Sequence, residues 1–180
     1  ILASAFVIPF SVSGYFWFLE YLSKTYIIAE VKAMWQIGGI FQQVLVAVFV
    51  LLIKDISSLV SEGNFRKIYS HMARMYVISL FALSCFYLII IINGKDLLLL
   101  IYGENYSHLS YIFKYLFILS SLQLTSYFLN VLLKSLEMPW SMFYGYLFSA
   151  LSAVSLGFYF TYHYATIGVF YGFILSEIIV

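Results

Sequence analysis

The chain has 180 residues, of which 64% are hydrophobic and only 9% charged, with a formal net charge of +1. Soluble domains carry roughly 25% charged residues, so this composition excludes a single water-facing globule. The near-neutral balance supplies no field for nucleic acid, and the lone cysteine, Cys85, excludes an internal disulfide framework.

Six apolar stretches fill the sequence, at residues 1–19, 34–53, 75–92, 111–133, 140–160 and 165–180. A hydrocarbon core of about 30 Å needs about 20 helical residues, with a range of about 17–25. The pattern predicts an all-α membrane protein, a bundle of about six transmembrane helices forming a single unit over residues 1–180. The sequence opens and closes within apolar segments, so a piece of a longer polytopic chain is expected.

In the first stretch Pro9 removes a helix hydrogen bond and predicts a bend. Tyr15, Phe16 and Trp17 mark its interfacial end, followed by Glu20 and Lys24, an i, i+4 pair in the favourable order. The second stretch carries adjacent amides, Gln42 and Gln43, that need partners in an apolar setting. After Gly63-Asn64, Phe65, Ile68, Tyr69 and Met72 recur at i, i+3, i+4 and i+7, among Arg66, Lys67, Ser70, His71 and Arg74. That spacing predicts a short amphipathic segment lying along the headgroups.

The third stretch holds Cys85, read as packing filler, and leads into the longest outer connection, residues 93–110. In the fourth stretch Lys114, Ser121 and Thr125 fall within about 40° of one another on a helix turning about 100° per residue. Gln123, Ser126 and Asn130 form a second polar stripe on the opposite side. At least one stripe should face protein or a hydrated cavity. The fifth stretch repeats small residues at Gly145, Ser149, Ala153 and Gly157, and the sixth pairs Gly168 with Gly172. Both patterns suit close helix packing.

Short connections set orientation. Lys54, Arg66, Lys67, Arg74 and Lys134 stand on one side, against Lys24, Lys32 and Lys95 on the other. The positive-inside rule puts connections 54–74 and 133–139 in the cytoplasm.

No hydrolytic triad, metal-ligand cluster or phosphate-binding glycine loop is present, and His71, His108 and His163 fall in three separate connections. No catalytic residue, metal ligand or cofactor is expected. A charge near the bilayer centre costs at least about 2.5–3.5 kcal/mol, so polar groups inside spans are the informative ones. The candidates for a substrate path are Glu20, Lys24, Gln42, Lys114, Ser121, Gln123, Thr125 and Asn130.

Several short segments occur in a telling order: Ile8-Pro9, then Leu22-Ser23-Lys24-Thr25-Tyr26-Ile27-Ile28, then Leu100-Ile101-Tyr102-Gly103-Glu104-Asn105-Tyr106, then Thr166-Ile167-Gly168-Val169 with Ser176-Glu177. In these features the chain resembles the carboxy-terminal half of a polysaccharide (O-antigen type) flippase. Such flippases belong to the multidrug, oligosaccharidyl-lipid and polysaccharide exporter superfamily. The family often shows an Asp-Arg pair where Ser23-Lys24 stands, and a small residue or Pro near Lys54-Asp55.

The resemblance implies twelve helices in two six-helix lobes, with this chain as the second lobe. It further implies a multi-pass protein of the cell (inner or plasma) membrane, moving a polyprenyl-diphosphate-linked oligosaccharide between leaflets for surface polysaccharide synthesis. Its partners are then that lipid-linked cargo and the bilayer, with the coupling ion left open. A drug/cation antiporter of the same superfamily would favour a membrane-embedded acid, for which Glu177 is the candidate. A membrane polymerase or acyltransferase would favour a long polar outer loop, whereas residues 97–101 of the outer connection are apolar.

Overall fold

A computed structural model describes residue 20, residues 25–63 and residues 65–179. Expectations for residues 1–19 and Lys24 fall outside the described residues. Helix α1 spans Thr25–Ser61 and α2 spans Phe65–Tyr102. A short α3, Glu104–Ser107, and a 3-10 turn, His108–Ile112, lead into α4, Phe113–Ser135. Helix α5 spans Pro139–Ile179. No strand occurs among the described residues. Among the described residues, three segments are long and apolar enough to cross a membrane: Phe65–Tyr102, Glu104–Ser135 and Trp140–Ile179. Helices are the expected response to lipid, where every backbone polar group must be satisfied within its own segment.

Helix ends follow local chemistry. Gly63 (φ +67) turns the chain between α1 and α2, its N–H donating to the Val60 carbonyl at 3.0 Å. Gly103 (φ +82) stops α2. Past α4, Glu137 adopts φ 56; its N–H reaches Lys134 O at 3.1 Å, and the N–H of Met138 reaches Leu133 O at 2.9 Å. That pairing is a Schellman cap, and Pro139 opens the next helix directly after it.

Connections differ from their sequence reading: residues 25–33 and 54–61 already belong to α1. Residues 65–74 are the first turns of α2 rather than a separate surface helix. Residues 93–102 likewise prolong α2 beyond the third apolar stretch. No proline or glycine interrupts the chain at Arg74-Met75. A drop in hydropathy alone does not stop a helix. At Gly94 the prolonged helix crosses α4 so tightly that a Cβ there would lie 2.6 Å from the Phe113 ring.

Helix α5 breaks at Ala165 (φ 50, ψ −129), where the sixth apolar stretch begins. A Cβ on Gly172 would lie 2.4 Å from the Cα of Gly157, and one on Gly168 would lie 2.0 Å from the carbonyl oxygen of Phe160. Along a straight helix Gly157 and Gly172 would stand about 22 Å apart, so the chain doubles back on itself. Its two arms meet through glycine, backbone against backbone. The small-residue pattern of the fifth and sixth stretches is therefore used, at least at Gly157, Gly168 and Gly172, for packing.

Helix α4 is central, touching α1, α2 and α5. Contacts at Gln42–Gln123 and Ser57–Ser135 make α1 parallel to α4. Tyr87–Ser120 and Tyr76–Thr125 make α2 antiparallel to it. The second arm of α5 runs with α1, pairing Glu30 with Thr166 and Trp35 with Phe173. Tyr87, Phe113, Phe170, Met34, Leu52 and Leu83 are fully buried between these helices. By contrast α2 leaves Phe81 71% and Ile92 72% exposed on an apolar outer face. Contiguous apolar surface of that kind suits lipid.

Candidate functional site

The interior of the bundle is crossed by a polar line centred on α4. Gln42 of α1 donates its Nε2–H to Oε1 of Gln123. Beyond Gln123 lies the Glu177 carboxylate, brought in by the second arm of α5. Ser126 donates its hydroxyl to Glu177 Oε2 at 3.0 Å, and the Gln123 amide lies beside the same carboxylate. One turn further along α4, Asn130 donates to the Tyr146 hydroxyl at 2.6 Å. Toward the other end, the Tyr87 and Ser120 hydroxyls lie 2.7 Å apart.

These contacts follow from spacing. Positions 123, 126 and 130 share one side of α4, and each meets a different neighbour because α1 and both arms of α5 pack against that side. A shallow crevice borders the line, walled by Trp35, Gly38, Gly39, Gln42, Ser120 and Gln123. A Cβ on Gly39 would touch nothing within 4 Å, whereas one on Gly38 would lie 3.2 Å from the Tyr87 hydroxyl. Glycine at 38 thus lets α1 approach the Tyr87–Ser120 pair.

The sequence candidates separate into two groups. Gln42, Gln123 and Asn130 are brought into the interior line, with Ser126 beside them. The stripe of Lys114, Ser121 and Thr125 is not. Ser121 bonds back to the Phe117 carbonyl at 2.8 Å. Thr125 donates to the Ser121 carbonyl at 3.1 Å and also meets the Tyr76 hydroxyl at 3.1 Å. Lys114 is exposed, its ammonium 5.0 Å from the Tyr115 ring centre, with no ion pair among the described residues. Glu20 is exposed and its partner Lys24 lies outside the described residues.

Sequence reasoning overlooked a second polar junction. The Glu30 carboxylate accepts the Thr166 hydroxyl, and His108 Nε2 lies 3.8 Å from its other oxygen. Near it, Tyr102 donates to Gln36 Oε1 at 2.8 Å. The signal was an acid placed between Ile27 and Val31, both fully buried, which marks an inward-facing turn rather than a loop.

No protein-family model matches the chain, and no curated protein or solved structure matches it either.

Chemically, the interior line offers amide and hydroxyl donors around one carboxylate. Such a set holds helices in register and can carry a small cation or proton. Among the described residues, no group of three His, Cys, Asp or Glu side chains gathers as a metal site.

Proposed function

We propose that this chain is the second six-helix lobe of a flippase that moves a polyprenyl-diphosphate-linked oligosaccharide across the cell membrane for surface polysaccharide synthesis. The observation that carries the reading is Lys114: a cation just inside an apolar helix, exposed and without a carboxylate partner among the described residues. A diphosphate leaving water loses its hydration and needs a compensating cation. Tyr115 and Tyr171, whose rings stand 5.4 Å apart beside that lysine, add flat surfaces on which a sugar ring can rest.

The motif order from Ile8 to Glu177 supports the same reading. The interior line supports a lobe that moves as one body, because Gln42, Gln123, Ser126 and Glu177 bind three helical runs together. Alternating access then comes from one lobe rocking against another while the lipid tail stays in the bilayer. Replacing Lys114 with Gln removes a charge-assisted contact, and surface polysaccharide output is expected to fall about ten-fold or more. Full output from that variant rejects the role.

Glu177 favours a second reading, export of a small molecule in exchange for Na⁺ or H⁺. A carboxylate held by Ser126 within an apolar helix is a natural carrier of one positive charge. Under that reading Glu177→Gln abolishes transport driven by an ion gradient. Under the flippase reading without ion coupling, the variant leaves gradient dependence unchanged.

A further inference from the structure

We propose that the outward ridge of α2 formed by Arg66, Ser70 and Arg74 is a docking site for the phosphate of an anionic glycerophospholipid. The inference is independent of the cargo. The three residues succeed one another at i+4, so they fall within about 80° on one face, and all three are exposed. The same face continues through Val77, Phe81, Cys85, Leu88 and Ile92, which are exposed as well. Cationic surface therefore changes to apolar surface within a single turn, between Arg74 and Val77.

Because α2 is unbroken across that change, the arginines stand directly in line with the apolar strip. From Val77 to Ile92 the strip runs about 22 Å, enough for an acyl chain crossing one leaflet of about 15 Å.

Neither arginine makes an ion pair among the described residues. The carboxylate of Asp55, on the facing end of α1, is turned to His71 at 4.0 Å. Helical side chains lean toward the amino terminus, so the Arg74 guanidinium reaches back over Ser70, with Arg66 about 12 Å from Arg74 along the same face. A phosphate over Ser70 receives the Arg74 cation and a hydroxyl donor, with the Arg66 charge adding to the same positive field. Phe65 and Tyr69, exposed at the headgroup end, flank it as interfacial anchors. A zwitterionic headgroup brings its own cation to the two arginines and gains less, so the ridge selects net negative lipid.

The test places the chain in nanodiscs of equal phosphatidylglycerol and phosphatidylcholine, extracts it gently and counts retained lipid by native mass spectrometry. Phosphatidylglycerol is expected in excess, with retention falling about five-fold for each of Arg66→Gln and Arg74→Gln. The paired Arg66→Lys, Arg74→Lys variant keeps the preference, which separates lost charge from lost folding. Lys95→Gln, at the other end of the strip, leaves it unchanged. No preference in the parent chain, or an undiminished one in the double Gln variant, overturns the proposal. Displacement of phosphatidylglycerol by an equal mole fraction of polyprenyl diphosphate also overturns it, by giving the ridge to a different lipid.

Discussion

Gln123 occupies the point where three helical runs meet. Its amide oxygen accepts a hydrogen bond from Gln42 and its side chain lies beside the Glu177 carboxylate, so removing it strands polar groups. A double-mutant cycle on Gln42→Leu and Gln123→Leu, read as thermal stability in detergent, should give a coupling of about 0.6 kcal/mol and at most about 1.7 kcal/mol. Zero coupling would mean the two amides do not meet. The stripe of 123, 126 and 130 was legible because helical periodicity is a local property. The identity of its partners was not, since Gln42 and Gln123 are 81 residues apart and only packing joins them. The companion stripe shows the opposite lesson: Ser121 and Thr125 satisfy themselves on their own helix, which periodicity alone cannot foresee.

At the level of elements, glycine decides where helices end and where they touch. Gly63 and Gly103 take positive φ and end α1 and α2, while residues 65–74 and 93–102 run on as helix through changes in hydropathy. The apolar stretches from residue 75 onward were therefore legible as candidate spans, but the helices carrying them extend further, at both ends of α2. The hairpin in α5 was legible at its packing residues, because small side chains at a four-residue period have few other uses in lipid. Gly172→Ala places a Cβ against the backbone of Gly157, which has no rotamer with which to yield. The expected loss is about 1–3 kcal/mol in thermal stability. Gly39→Ala, where a Cβ meets open space, serves as the control and should change little.

For the whole molecule, the outer face of α2 supplies a ruler. Arg74 and Lys95 lie within about 60° of one another on the helix and about 32 Å apart, close to a hydrocarbon thickness of about 30 Å. Between them the exposed positions are apolar except near Asn93, and the arginine ridge and Lys95 sit at opposite edges. Long apolar helices, an exposed apolar face and an interior line of hydrogen bonds belong together only if lipid is the solvent outside and polar groups are satisfied inside.

Spin labels introduced singly at Arg66, Phe81, Leu88 and Lys95, in a Cys85→Ser background reconstituted in vesicles, measure that arrangement directly. The expected result is that labels at 81 and 88 collide mainly with oxygen dissolved in the bilayer, while those at 66 and 95 collide with a water-soluble nickel chelate. Equal collision with the chelate at all four positions would contradict a membrane-spanning α2 and the account built on it.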